Sequence, residues 1–130
     1  MENKIKQLRK GILELAIMGC LYHERHYGYS LVKTLSGEED IVLTEGTIYP
    51  ILSRLAKEGL IQSEWVESSQ GPPRKYYSLT STGKQAFEIL NTEFKKLKEL
   101  VTNAIMEPNH TAPQQERKKL SISKEKKYDQ

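Results

Sequence analysis

Thr44-Glu45-Gly46-Thr47-Ile48-Tyr49-Pro50-Ile51-Leu52-Ser53-Arg54-Leu55-Ala56-Lys57-Glu58-Gly59 is the stretch whose reading decides the fold. Wound at about 3.6 residues per turn, it places Ile48, Ile51, Leu52 and Leu55 within about 100° of one another. Thr44 suits the N-cap of such a helix, and Gly59 suits its C-terminal stop. The opposite face carries Gly46, Pro50, Ser53 and Lys57, flanked by Thr47, Tyr49 and Arg54. That face is small near its start and basic near its end, which suits close approach to a duplex groove. The segment taken alone fits any amphipathic surface helix equally well, so its neighbours must decide. Pro50 deletes one intrahelical hydrogen bond at a cost of up to ~3 kcal/mol. The helix is therefore expected either to begin nearer Gly46 or to have a distorted first turn.

Upstream, Lys4 to Glu24 reads as a helix with Ile5, Leu8, Ile12, Leu15, Ala16 and Gly19 at helical spacing. Leu13, Ile17, Cys20 and Leu21 widen the stripe, so this helix needs cover from its own domain and from a partner. His26-Tyr27-Gly28-Tyr29 breaks the period and opens a short second helix through Leu31, Val32 and Leu35, closed by Gly37. An acidic loop, Glu38-Glu39-Asp40, leads on to Thr44. Downstream, Leu60 to Glu67 and Arg74 to Thr80 read as two strands joined by a roughly six-residue tip, Ser68 to Pro73. Arg74 and Lys75 then stand just past that tip, placed to meet phosphate, although two basic loop residues are in general merely solvated. Thr80 or Ser81 opens a long helix in which Phe87, Leu90, Phe94, Leu97, Val101 and Ala104 are spaced 3, 4, 3, 4 and 3. That is an a/d seam held for nearly three heptads.

The order helix, helix, helix, hairpin, long helix defines a mainly α chain with a small β-hairpin. It predicts a winged helix-turn-helix over 1–80, a C-terminal dimerisation helix over 81–107 and a disordered basic tail over 108–130. Net charge supports only part of this. The chain carries +3, yet residues 1–107 hold 14 basic and 14 acidic side chains, so the whole excess lies in the tail. Bulk charge would not have suggested nucleic acid; the pattern does. No apolar run is long enough to span a membrane, no secretory signal is legible, and the single Cys20 cannot form an intrachain disulfide. A cytoplasmic protein is expected.

The pieces Glu45 to Leu55, then Glu58-Gly59-Leu60-Ile61, then Gly71-Pro72-Pro73-Arg74-Lys75-Tyr76-Tyr77-Ser78-Leu79-Thr80 with Gly83 beyond, resemble the PadR family of transcriptional regulators. Tyr27-Gly28-Tyr29 matches the Gly-Tyr pair that opens the family's second helix, and the likeness covers residues 8–106. The chain looks like the short subfamily with one C-terminal helix. The resemblance implies a repressor that binds pseudo-palindromic double-stranded operator DNA as a homodimer and is released by a small aromatic or drug-like effector. Tyr49 and Pro50 match the family's recognition helix, and Arg74 to Tyr77 match its wing. The DNA-contacting set expected is Thr44, Gly46, Thr47, Tyr49, Pro50, Ser53, Arg54, Lys57, Arg74 and Lys75. In the drug-sensing branch a Trp of the last helix lines the dimer centre, and the corresponding position here is Phe94.

For the dimer interface the expected residues are Leu8, Ile12 and Leu15 with Phe87, Leu90, Phe94, Leu97 and Val101. Phe94, Leu97 and Trp65 are the candidates for effector contact. Trp65 is otherwise expected to pack the hairpin onto the domain, and Phe94 to serve simply as a seam residue. His23 and His26 are three apart, but with Glu24 pointing elsewhere on the helix they make no metal site. No cofactor is expected, and no Ser-His-Asp, paired-carboxylate or phosphate-loop constellation suggests an enzyme. The competing class is a winged-helix module that has lost DNA binding and pairs with another protein.

Overall fold

The computed structural model of the protein describes residues 1–37 and 43–106. Six elements follow in order: α1 (Glu2–His23), α2 (Gly28–Leu35), α3 (Glu45–Lys57), β1 (Ile61–Ser68), β2 (Gly71–Leu79) and α4 (Ser81–Ile105). Three helices, an antiparallel hairpin and a long helix make a winged helix-turn-helix. The acidic loop Glu38-Glu39-Asp40 and the tail 108–130 lie outside the described residues.

One core holds the first five elements together. Ile17, Met18 and Leu21 of α1 meet Leu31 of α2 and Leu43, and the sheet adds Ile61, Tyr77 and Leu79. The four apolar residues of α3, Ile48, Ile51, Leu52 and Leu55, are all buried there, as their spacing requires. Each contributes about 1.5–3 kcal/mol of burial, which fixes the rotation of α3 about its own axis. The C-terminal half of α1 is thus covered by its own domain, while Ile5, Leu8 and Ile12 in the other half are exposed.

Helix α3 begins at Glu45, and Pro50 stands inside it without ending it. Its first turn is tightened: the Thr44 carbonyl accepts from both Thr47 N (3.0 Å) and Ile48 N (3.1 Å). Such a shared carbonyl is common at helix N-termini and lies ahead of the bond that Pro50 deletes, the one an N–H at that position would have made to Gly46 O. Thr44 is the N-cap residue, but its hydroxyl caps no backbone N–H; it lies 3.4 Å from the Thr47 hydroxyl. At the other end Gly59 adopts φ +75°, a left-handed conformation that suits glycine. Gly59 N donates to Ala56 O and Leu60 N to Leu55 O, both at 3.0 Å, which satisfies two carbonyls of the last turn.

The hairpin differs from its expected shape. Ser68 pairs with Gly71, so the tip is Ser69-Gln70 rather than the six residues 68–73, and β2 begins three residues earlier. Between the pairs Val66↔Arg74 and Ser68↔Gly71, Glu67 stands opposite both Pro72 and Pro73. A bulge is where prolines, which have no N–H to donate, cost a ladder least. Arg74 and Lys75 therefore sit within the strand, opposite Val66 and Trp65. On its other edge β2 bonds to the α1–α2 connection, where His26 N donates to Tyr77 O (3.1 Å) and Tyr77 N to His26 O (2.7 Å).

Thr80 joins the turn after α3 to the start of α4. Its hydroxyl donates to Gly59 O (2.8 Å) and accepts from Gly83 N (3.0 Å), capping α4. The chain divides into compact units at Lys95/Lys96, inside α4 rather than ahead of it. Phe87 explains why the first turns of α4 belong with the preceding elements. Its ring lies against Gly19 and 5.2 Å from the Tyr22 ring, while the Tyr22 hydroxyl donates to Glu88 at 2.8 Å.

Candidate nucleic-acid interface

Burying the apolar stripe of α3 leaves the other side outward. Thr44, Gly46, Thr47, Tyr49, Pro50, Ser53 and Lys57 are all exposed, so this part of the expected contact set is brought together on one face. Arg54 is set apart from it. It is half-buried, and its Nη2 donates to the Glu14 carboxylate of α1 at 3.3 Å. Tyr49 leans over the start of α2, where a Cβ on Gly28 would stand 2.5 Å from its hydroxyl and 2.6 Å from Cζ. Gly28 is thus the condition for this seat of Tyr49. Burial raises the pKa of the neighbouring Tyr77 phenol above its usual 10.0, with Tyr49 adding to the effect.

The hairpin presents two faces. Ile61, Leu79 and Tyr77 turn toward the core, and farther along the same strands Trp65 pairs with Lys75. Trp65 is 69% exposed and does not pack the hairpin onto the domain, contrary to expectation. The alternation does place it on the core side of the strand, but it lies four residues beyond Ile61, past the end of the core. Lys75 Nζ stands 6.0 Å from the Trp65 ring and 5.7 Å from that of Tyr77.

The other face carries two neighbouring rings with a cation on each. Arg25 lies 4.7 Å over Tyr76, Tyr76 meets Tyr27 edge-on at 5.3 Å, and Arg74 lies 4.5 Å over Tyr27. Arg25 also donates to Glu64 of β1 at 2.7 Å. The His26–Tyr77 pairing creates this arrangement, because it sends Arg25 and Tyr27 to the side of the sheet that bears Tyr76 and Arg74. Sequence reasoning missed Arg25 and Tyr27 as part of the site. The motif Tyr27-Gly28-Tyr29 read only as a helix opening, and the bridge that recruits it is non-local.

Among the residues expected at a dimer interface, Leu8, Ile12, Leu90, Leu97 and Val101 are exposed, and Leu15 and Phe94 are half-buried. Phe87 instead spends its ring within its own chain, on Gly19 and Tyr22. Of the effector candidates, Trp65 and Leu97 are exposed and Phe94 is half-buried. Glu24 has left the helix as the C-cap of α1, and its carboxylate lies 3.6 Å from His26 Nε2 rather than pointing elsewhere. Ser30 is tied to the same corner: its hydroxyl lies 3.0 Å from His26 Nδ1 and donates to Tyr27 O at 2.8 Å. No group of three or more His, Cys, Asp or Glu able to hold a metal occurs among the described residues. No helix there is long and apolar enough to cross a membrane.

The fold is a winged helix-turn-helix, a class widely used by DNA-binding regulators. The family model for the transcriptional regulator PadR-like family matches residues 17–89, and this chain belongs to that family. It is similar to a PadR-like transcription factor from Bacteroides fragilis at 43% identity and a TM-score of 0.66, over 78% of this chain and 98% of that one. It is also similar to a PadR-like transcriptional regulator from Bacillus cereus at 36% identity and a TM-score of 0.71, again over 78% and 98%. An uncharacterized protein of Lysinibacillus sphaericus is 30% identical over 94 residues, 71% of this chain and 86% of that protein. The family and its solved neighbours are transcriptional regulators.

Proposed function

We propose that the protein is a cytoplasmic repressor that binds pseudo-palindromic operator DNA as a homodimer and is released by a small aromatic or drug-like effector. The observation that carries the DNA reading is the outward face of α3: Gly46, Thr47, Tyr49, Pro50, Ser53 and Lys57 exposed while Ile48, Ile51, Leu52 and Leu55 anchor the helix. Small residues there admit a groove edge, and the hydroxyls and the Lys57 ammonium meet bases and phosphates. Arg74 and Lys75 on the wing add phosphate contacts. Residues 1–80 are the DNA-binding part and 81–107 the dimerisation helix in this reading.

Dimerisation is supported by apolar surface that the described chain leaves open. Leu8 is 69% exposed and Val101 60%, with Ile12, Leu90 and Leu97 about half exposed. Two copies joined through these residues would set their α3 helices at successive major grooves, about 34 Å apart. An effector seated at Phe94 and Leu97 would act by favouring a dimer arrangement in which both half-sites no longer fit at once. That coupling equals its differential affinity for the two arrangements.

A gel shift on the DNA upstream of the protein's own gene, at two salt concentrations, tests the reading. Wild type should bind more weakly at the higher salt. The double variant Arg74→Ala, Lys75→Ala should bind more weakly still and with a flatter salt dependence. The near-neutral charge of residues 1–107 favours a protein-interaction module instead, and an unshifted duplex at low salt would decide for that class.

A further inference from the structure

Two arginines share one pair of tyrosine rings, Tyr76 of the wing and Tyr27 of the α1–α2 connection, and they are not equivalent. Arg25 rests on Tyr76 while its Nη1 donates to Glu64 at 2.7 Å, so its charge is already matched. Arg74 rests on Tyr27 at 4.5 Å, and no carboxylate pairs with it among the described residues. One end of this group is a strut that holds the wing to the α1–α2 connection. The other end is an exposed cation held over a ring, with no carboxylate on it among the described residues.

We infer that Tyr27 is a positioning residue for DNA: its ring holds the Arg74 guanidinium in the pose from which that side chain contacts a backbone phosphate. This rests on the DNA reading above and adds to it a residue outside both the reading helix and the wing. An exposed Arg surrenders considerable rotamer freedom when it grips a phosphate, and a ring beneath it removes part of that loss beforehand. The ring is itself fixed. Tyr27 is half-buried, its N–H donates to the Ser30 hydroxyl at 3.0 Å, and Tyr76 meets it edge-on. Arg suits this post better than Lys, because a planar guanidinium can stack on a ring and still offer N–H groups to phosphate oxygens. Lys75, at 5.7–6.0 Å from its rings, is held less closely.

A double-mutant cycle on full-length protein tests this, using the upstream duplex and an unrelated mixed-sequence duplex at two salt concentrations. Tyr27→Leu should weaken binding to both duplexes by about three- to fivefold. Arg74→Ala should weaken both by more and lower the salt slope by about one. In the Arg74→Ala background, Tyr27→Leu should add nothing, and Tyr27→Phe, which keeps the ring face, should bind as wild type. Equal losses from Tyr27→Leu in both backgrounds, or none in either, overturn the inference and leave the DNA reading standing. A wild-type protein that shifts neither duplex overturns both. Should Tyr27→Leu fail to fold, the side-chain proton shifts of Arg74 in the free wild-type protein decide. Upfield displacement by the Tyr27 ring supports the inference, and unshifted values overturn it.

Discussion

A methyl group on Gly83 would collide with the backbone carbonyl of Leu60, whose oxygen already accepts the Thr80 N–H at 3.0 Å. Neither partner is a flexible chain end, so the start of α4 would have to move off the α3–β1 turn. Gly83→Ala is therefore expected to destabilise the protein by about 1–3 kcal/mol, seen as a lower urea midpoint with an unchanged slope. Gly83 was legible as part of a motif, but only the packing of α4 on Leu60 says why no side chain fits. Tyr77 makes a second prediction at this scale. Burial, reinforced by Tyr49, raises its folded-state pKa above 10.0, so the folded protein holds this proton more tightly than the unfolded chain. The resulting stability is complete below pH 10 and is lost as pH rises through the folded value. Tyr77→Phe should flatten the alkaline limb of a melting-temperature-against-pH curve; an unchanged limb would remove Tyr77 as its cause.

At the scale of the element, α3 separates two kinds of residue with opposite outcomes. Leu55→Ala opens a hole under a fully buried side chain and should cost about 2–5 kcal/mol in denaturant titrations. Ser53→Ala with Lys57→Ala, both on the exposed face, should change stability by less than about 0.5 kcal/mol per site and weaken duplex binding. Comparable stability losses from the two sets would mean that the outward face is packed. In the hairpin the sequence marks both strands, but Gly71-Pro72-Pro73 has the composition of a loop and lies in β2. The ladder continues past the prolines by setting both of them opposite Glu67, and that exchange depends on the partner strand.

At the scale of the whole molecule, α1 and α4 both leave apolar residues exposed, Leu8 and Ile12 on one and Leu90, Leu97 and Val101 on the other. If a second copy covers them, Leu97→Asp should convert a dimer to monomers in sedimentation velocity and abolish the duplex shift. A wild-type monomer at micromolar concentration would remove the dimer reading. In that reading Leu90, Leu97 and Val101 are the exposed residues of α4 open to a second copy, while the ring of Phe87 lies against Gly19 and Tyr22 of its own α1.

The sequence alone determined what depends on neighbours in the chain. Helical spacing set the buried stripe of α3, glycine's access to positive φ set its end at Gly59, and the combined motifs pointed to the family. Tertiary structure alone decided what depends on residues far apart in the chain. Arg54 is tied to Glu14 forty positions away, and Trp65 is left in the open because the core ends before it. Arg25 and Tyr27 join the wing because one backbone pairing, His26 with Tyr77, closes fifty residues of chain into a shared sheet edge. Hydrogen bonds between distant backbone segments leave no periodic trace in the side chains that they bring together, and that is why this corner of the site stayed hidden until the fold was known.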